Sequence, residues 1–347
     1  MHSIPRPRFE DVEHYAKLFT NADYWSPYVH MVCEHHQLVP CSDIKAGFPG
    51  TNPVFIVDGR YAVKLYTDWF NGYASYPTEL DSYRLIAMNP QLPAPALIAH
   101  GSLYPEGTEW HWPYIVTTVI PGASLGEAGE LVSCDDRREL AGFLAQVLRQ
   151  VHALPVESSA VMRRSWDAFA AFLQERRLHC LDNHRRWKSL PDHLIDQIEE
   201  YLIPLSELMD DEGGPYILHC DLNRDHVLGA WEGVRWTPAG IIDFGDARAG
   251  DRLYEFVALH LGLFRYDKRL LGRFLTQYGV EEHWKDNSRL VRRLMNYTLL
   301  HEFNVLDQLC EAHPSVREAA SLPELAAWIW DLGTPSPSPS SDDGVVA

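Results

Sequence analysis

The sequence lacks any long apolar run. No stretch of its 347 residues approaches the roughly 18 consecutive apolar residues of a membrane-spanning helix. The first residues, MHSIPRPRFEDVEHYAKLF, also lack the apolar core of a secretory signal peptide. We therefore expect a cytoplasmic protein with no membrane partner.

A cysteine framework is absent as well. The six cysteines are scattered without a C-x-x-C pair, and the histidines form no H-E-x-x-H motif. These absences disfavour both a disulfide-stabilised scaffold and a structural zinc site. Reduced thiols of a cytosolic protein explain the cysteines best.

Positive charge is scarce. The 30 Lys+Arg residues face 48 Asp+Glu residues, which leaves a formal net charge of −18. Such a surface repels phosphate backbones and anionic lipids, so a nucleic-acid partner is disfavoured. Two interpretations stay open: the charge attracts a cationic partner, or it serves solubility alone.

Apolar residues are plentiful, at 46% hydrophobic and 12% aromatic, and the chain is long enough for roughly two lobes.

Residues 9–38 favour a helix. A hairpin is predicted over 54–57 and 61–66, with an Asp58-Gly59 turn between its strands. A helix follows over 77–88, with Ser75 as its cap, and two more strands over 96–103 and 114–120. This order predicts a small antiparallel sheet with one packed helix.

Helical patterns dominate beyond residue 121. Apolar residues recur at helical spacing over 140–151 and again over 194–205. The Pro- and Ser-rich end lacks apolar residues and is expected to be disordered. The predicted organisation is a helical segment over 1–45, a nucleotide-binding lobe over 46–120, a catalytic and substrate-binding lobe over 121–332, and a disordered tail over 333–347.

Two aspartates carry the clearest chemical signal. Asp221 and Asp243 each follow a short apolar strand, and a predicted hairpin between them could return the chain to the same place. One carboxylate could orient a nucleophilic hydroxyl while the other binds Mg²⁺. Either aspartate alone would more commonly be a turn residue.

The pair gains weight from its context. His219-Cys-Asp221 followed by Asp243-Phe-Gly245 resembles the H-x-D catalytic loop and the metal-binding D-F-G of phosphotransferases. With TNPVFIV, AVKLY and ILHCDL, the chain resembles the aminoglycoside phosphotransferase family, and within it the hygromycin B phosphotransferases, over roughly residues 20–330. The resemblance implies an α+β, bilobal protein-kinase-like fold with a small antiparallel β N-lobe and a larger, mostly helical C-lobe. It also implies ATP or GTP as the phosphate donor, with Mg²⁺ or Mn²⁺.

The same resemblance implies a nucleotide site. Lys64 matches the lysine that pairs with the α- and β-phosphates, and Glu79 matches its helical partner, with Asp81 as an open alternative. The loop 47–52 would cover the phosphates, and the strand before Pro121 would bind adenine through backbone groups. The nucleotide-binding residues expected in these two segments are Gly50, Thr51, Asn52, Thr118 and Ile120.

His226 departs from the family pattern. At this position, five residues after Asp221, the family has an asparagine that binds Mg²⁺, whereas imidazole is a softer nitrogen donor. Three interpretations stay open: His226 coordinates the metal together with Asp243, it hydrogen-bonds Asp221 or a phosphate, or the site is degraded.

A cationic aminoglycoside is the acceptor that the resemblance implies. Asp246, Asp267 and Glu302 are the acids expected to bind it. The predicted activity is transfer of a γ-phosphate to a hydroxyl of an aminoglycoside such as hygromycin B, which inactivates the antibiotic. The alternatives are a kinase for another hydroxylated metabolite and a nucleotide-binding pseudokinase.

Overall fold

The computed structural model describes residues 4–107, 109–162, 165–209, 213–280 and 288–335. Its first part is built on a five-stranded antiparallel sheet with the order β1-β2-β3-β5-β4. The strands are β1 Ile44–Ala46, β2 Val54–Val57, β3 Tyr61–Leu65, β4 Leu97–Ser102 and β5 Pro113–Thr118. Residues 336–347 of the predicted disordered tail lie outside the described residues.

Strand β3 separates a core from a cleft. Val63 and Leu65 are fully buried, and they pack in an aromatic cluster that includes Trp25 and Phe55. Because side chains alternate along a strand, Lys64 points to the opposite face. The predicted hairpin is thus confirmed, together with the inward direction of its apolar residues.

The N-terminal segment forms two helices instead of one. They are α1 Val12–Leu18 and α2 Ala22–His36. Asn21 separates them because its side chain accepts a hydrogen bond from Tyr24 N–H at 3.0 Å and so caps α2. The aromatic residues of α2 close the outer face of the sheet.

Helix α3 spans Gly72–Ile86 and begins earlier than predicted. Ser75 does not cap it, because its N–H already donates to the Asn71 carbonyl as part of the helix. A Cβ at position 72 would lie 2.2 Å from the Thr67 carbonyl oxygen, so only glycine fits where the chain enters α3. Pro77 lies inside the helix, although proline is preferred at the first position of a helix.

The second part is mostly helical. Its helices are α4 Leu125–Ala128, α5 Cys134–His152, α6 Trp166–Trp187, α7 Asp192–Ile195, α8 Ile198–Tyr201, α9 Leu205–Leu208, α10 Arg252–Ala258, α11 Lys268–Tyr278, α12 Ser288–Leu299, α13 Asp307–Ala312 and α14 Leu322–Trp330. Its short strands are β6 Ala123–Ser124, β7 Tyr216–Leu218, β8 Val227–Glu232, β9 Arg235–Ile241 and β10 Arg248–Gly250.

The two amphipathic patterns have different outcomes. The pattern over 140–151 lies in α5, where its apolar residues are buried, as predicted. The pattern over 194–205 is not one helix but parts of α7, α8 and α9. Pro204 interrupts it, and the Asn296 side chain accepts a hydrogen bond from Ile203 N–H at 2.8 Å, which replaces a helical bond with a tertiary one.

Two small sheets position the chemistry-bearing loops. Strand β7 pairs with β10, and β8 pairs with β6 and β9, all antiparallel. The loop after β7 and the turn after β9 are therefore brought to one place. In the part of the chain that the structure describes, every helix is too short or too polar to cross a membrane.

Acid should destabilise the fold through a buried histidine. His260 is fully buried and its Nε2 donates to the Ile329 carbonyl at 3.1 Å, while its buried Nδ1 has no acceptor for a second proton among the described residues. Burial lowers the pKa of His260 to about 3, so the folded state binds fewer protons than the unfolded state below about pH 6.5. We expect the free energy of unfolding to fall as the pH drops from there toward 3, by about 1.4 kcal/mol per pH unit from this group.

Urea titrations between pH 7 and pH 4 measure that slope. The His260→Gln variant, whose amide can still donate to the carbonyl, should lose part of it. Replacing the exposed His179 with Gln is the matched control and should leave the slope unchanged. An identical slope in wild type and His260→Gln would contradict the assignment.

Candidate active site

The predicted catalytic loop begins where β7 ends. His219 is fully buried, and its Nε2 donates to the Ile242 carbonyl at 2.9 Å, which ties this loop to the end of β9. Cys220 has a positive φ of 68°, an unusual conformation that turns the chain sharply. After this turn Asp221 stays partly exposed, and its Oδ1 accepts a hydrogen bond from the Asn223 amide at 3.1 Å.

A lysine joins three elements at the centre of the site. Lys64 Nζ on β3 lies 2.7 Å from Glu79 Oε2 on α3 and 2.8 Å from Asp243 Oδ1 after β9. Glu79 is only 2% exposed, and it also accepts a hydrogen bond from the Tyr66 hydroxyl at 2.5 Å. Asp81 instead binds the Ser159 hydroxyl and neighbouring backbone N–H groups. The geometry therefore pairs Lys64 with Glu79 and not with Asp81.

The charges in this cluster support each other. Burial alone would disfavour the ammonium, but the carboxylates of Asp243 and Glu79 raise the pKa of Lys64 above its usual value. Burial likewise opposes the charge on Asp243, yet Lys64 and then His226 lower the pKa of its carboxyl far below normal. Asp243 is thus ionised at every physiological pH, which suits a carboxylate that binds a cation.

A cavity of about 410 Å³ lies between the sheet and the C-terminal part. Among the residues that line it are the predicted nucleotide-binding residues Gly50, Thr51, Asn52, Lys64, Glu79, Thr118 and Ile120, and also His226 and Asp243. Two hydrogen bonds hold the loop 47–52 in place. The Thr51 carbonyl accepts a hydrogen bond from Tyr15 on α1, and the Asn52 side chain accepts one from Thr67 N–H.

His226 lies between the two aspartates. Its Nδ1 is 2.6 Å from the Asp221 backbone carbonyl, so this nitrogen carries the proton. The other nitrogen, Nε2, lies 3.7 Å from Asp243 Oδ2. The hydrogen bond to Asp221 is the one that the second interpretation of His226 expects. It is also compatible with metal coordination, because ligating histidines typically donate their second N–H to a carbonyl or carboxylate.

The donor set can be tested for a fit to a divalent cation. Within the described residues no three His, Cys, Asp or Glu side chains converge as ligands. One carboxylate of Asp243 and one imidazole of His226 face each other instead. Mg²⁺ is usually held by one or two carboxylates together with water and substrate phosphates, so this pair fits a nucleotide-bound cation, and the nitrogen donor fits Mn²⁺ better than Mg²⁺.

A second cavity, of about 530 Å³, adjoins the Asp243–Asp246 turn on its other side and contains Asp246 and Arg248 among its lining residues. Burial by surrounding protein, together with the charges of Asp221, Asp243 and Glu302, raises the pKa of Asp246. We name this space the acceptor cavity, because Asp246, one of the acids predicted to bind the acceptor, lines it.

Of the three acids predicted to bind the acceptor, Asp246 lines this cavity and Glu302 contacts the lining residue Arg248, whereas Asp267 belongs to a helix end. Glu302 pairs with Arg248 at 3.0 Å, next to Asp246. Asp267 caps α11, where its carboxylate accepts from Arg269 N–H at 2.8 Å and pairs with the Arg269 guanidinium. Among the described residues, no hydrogen bond or ion pair joins Asp267 to the other two acids.

Sequence reasoning missed three residues of the site. Tyr66 lies two positions after Lys64 and so shares its face of the strand, a signal that period-2 alternation could have supplied. Asn223 and Arg248 had no comparable signal. The first depends on the shape of the catalytic loop, and the second on a three-residue strand pairing.

The model of the phosphotransferase enzyme family matches residues 48–290, more than half of the chain. The chain belongs to this family. The enzyme class predicted from the sequence is therefore confirmed at the level of the family, and the match spans every predicted nucleotide-, metal- and catalysis-related residue.

Two curated proteins are similar to parts of this chain. Lysine-specific demethylase JMJ21 of Arabidopsis thaliana is 25% identical over 271 residues, which cover 64% of this chain and 29% of that protein. An aminoglycoside 3'-phosphotransferase of Escherichia coli is 25% identical over 173 residues, 49% of this chain and 59% of that protein. The chain thus spans less than a third of the first relative and about three fifths of the second.

The fold is shared with solved structures. The GDP and kanamycin complex of an aminoglycoside phosphotransferase, APH(2"), aligns with a TM-score of 0.60 at 20% identity over 79% of this chain and 88% of that one. This likeness confirms the predicted α+β, kinase-like fold, with a five-stranded antiparallel sheet in the N-terminal region and a helical C-terminal part.

Proposed function

We propose that the protein is an aminoglycoside O-phosphotransferase that transfers the γ-phosphate of ATP or GTP to a hydroxyl of an aminoglycoside, hygromycin B being the first candidate. One observation carries the proposal: Lys64 bridges Glu79 and Asp243 in the nucleotide cavity, and the Asp243–Asp246 turn separates it from the acceptor cavity. The GDP and kanamycin of the structural neighbour support both ligand classes.

The proposed chemistry follows from the positions of these side chains. Asp221 orients the acceptor hydroxyl and takes its proton as the oxygen attacks the γ-phosphorus. A new P–O bond forms while the bond to the β-phosphate oxygen breaks, and the nucleoside diphosphate leaves. Lys64, held by Glu79, neutralises the α- and β-phosphates. Asp243 and His226 would hold the divalent cation, which supplies further positive charge at the phosphates.

Mass spectrometry tests the proposal directly. Hygromycin B incubated with the protein, ATP or GTP, and Mg²⁺ or Mn²⁺ should gain the mass of one phosphate, with matching release of the diphosphate. If neither hygromycin B nor other aminoglycosides gain a phosphate under any of these conditions, the proposal is wrong. Turnover of a different hydroxylated metabolite would then favour the metabolite kinase.

The metal preference should depend on His226. Since its Nε2 faces Asp243, replacing it with asparagine exchanges a nitrogen donor for an amide oxygen. We expect His226→Asn to raise the ratio of activity with Mg²⁺ to activity with Mn²⁺ by about tenfold, the scale of changes around metal ligands.

Metal titrations of the reaction measure this ratio, and electron paramagnetic resonance of bound Mn²⁺ gives a readout that does not need turnover. His226→Ala supplies neither donor, so it should weaken the binding of Mg²⁺ and of Mn²⁺ alike. An unchanged ratio in His226→Asn would exclude a direct contact between His226 and the metal.

A further inference from the structure

Arg248 places a positive charge inside the acceptor cavity, where the proposed function requires a cation to bind. Its side chain is partly exposed to the cavity and lies on the same wall as Asp246. A fixed guanidinium in this place would repel a polycationic acceptor unless its charge is already matched. The partners of Arg248 therefore decide what the cavity can accept.

The guanidinium is matched by Glu302 and held in place by several contacts. Arg248 Nη2 lies 3.0 Å from Glu302 Oε2, and the guanidinium carbon lies 3.9 Å from the centre of the Phe172 ring. The backbone of Arg248 is fixed in β10, which pairs with β7 at Leu218. Arginine stacked on an aromatic ring loses little further freedom when it pairs with a carboxylate.

Glu302 is fixed just as firmly. Its N–H donates to the Tyr254 hydroxyl at 3.1 Å, and its carbonyl accepts from Arg176 at 3.3 Å. The ion pair therefore joins two side chains whose backbones are both held by the fold. Such a pair is favoured over one between two freely moving surface chains, because less conformational entropy is lost.

Asp246 has the opposite situation. Within the described residues its carboxylate makes no hydrogen bond or ion pair, although it lines the same cavity. The cavity lining thus contains one carboxylate that is available to a ligand, Asp246, and one guanidinium, Arg248, that is paired with the neighbouring Glu302.

We propose that Arg248 is a specificity-determining residue. By pairing with Glu302 it leaves Asp246 as the carboxylate that binds an acceptor ammonium, so that one ammonium group near the reacting hydroxyl suffices. Acceptors with further ammonium groups gain nothing from Glu302. This inference rests on the proposed function, since it concerns the same acceptor.

The test uses acceptors that differ only in charge. Hygromycin B and derivatives with all but one amine acetylated keep the same rings and hydroxyls while the number of ammonium groups falls. For wild type we expect KM values of the parent and of the best single-ammonium derivative within about threefold of each other. Arg248→Met keeps an apolar stem against Phe172 but frees Glu302, so KM for the parent should fall about tenfold relative to that derivative.

A double variant and a second single variant complete the cycle. In Arg248→Met/Glu302→Gln the freed carboxylate is gone, and the ratio of the two KM values should return to that of wild type. Glu302→Gln alone leaves the guanidinium unmatched, so KM should rise for the parent more than for the derivative. An unchanged ratio in all variants, in protein whose thermal unfolding is native-like, would overturn the inference.

Calorimetry keeps the inference separate from the proposed function. Binding of the same compounds to the nucleotide-loaded protein should follow the same charge dependence whether or not phosphate is transferred. The predicted dependence without turnover would count against phosphotransfer and not against the role of Arg248. Turnover with no charge dependence in any variant would count against Arg248 alone.

Discussion

Replacing Asp221 with asparagine should lower kcat for phosphoryl transfer by about 10²- to 10⁴-fold, the range that general acid–base groups contribute. Asparagine keeps the size of the side chain and its contact with Asn223, but it cannot take the proton of the acceptor hydroxyl. Since Asp221 does not line the nucleotide cavity among the described residues, the affinity for ATP or GTP should stay close to that of wild type.

Steady-state kinetics and nucleotide titration by calorimetry separate these two effects. Glu232→Gln, which changes an exposed carboxylate at the end of β8, is the matched control and should retain full turnover. If Asp221→Asn keeps wild-type kcat, Asp221 is not the base. If it loses nucleotide binding as well, its role lies in the shape of the loop.

The sequence could predict that Asp221 and Asp243 lie in one candidate site, because each aspartate stands directly after a short apolar strand and within a motif of fixed spacing. Lys64 could be placed for a related reason, since Val63 and Leu65 on either side of it must face the core. In each case a single strand that is recognisable in the sequence also sets where the side chain lies in the fold, so few other positions are possible.

The acceptor residues lacked such a link. Asp246 and Asp267 look alike in sequence, yet Asp267 directly precedes an amphipathic helix and caps it. The sequence carries this signal, because aspartate is a preferred cap, whereas the family resemblance indicates only its charge. The pairing of Arg248 with Glu302 joins residues 54 positions apart, and no local pattern encodes it.

The open choice between Glu79 and Asp81 has a similar cause. Glu79 and Asp81 are separated by one residue in α3, so their side chains point to different sides of the helix. Periodicity could not say which side faces β3, because α3 is covered on both sides, and Glu79 and Asp81 are only 2% and 4% exposed. The direction of Glu79 toward Lys64 is set by the packing of α3 on the sheet, which is a tertiary contact.

Replacing Lys64 with methionine should lower kcat/KM by about 10²- to 10³-fold and also destabilise the protein. The loss of activity reflects a missing charge at the phosphates, comparable to the removal of one electrostatic donor in other enzymes. The loss of stability has a separate origin. Glu79 is 2% exposed and would be left as an unmatched buried charge, which typically costs about 3 to 5 kcal/mol when a buried pair is broken.

A second substitution separates these two effects. In Lys64→Met/Glu79→Gln the buried charge is absent, and glutamine can still accept the hydrogen bond from Tyr66, so most of the lost free energy of unfolding should return. Activity should not return, because the ammonium group that would neutralise the α- and β-phosphates is still missing. Lys45→Met on strand β1, whose lysine pairs only with exposed Asp43 among the described residues, is the control and should change neither quantity. Recovery of kcat/KM in the double variant would show that Lys64 acts through the stability of α3 and not through the nucleotide.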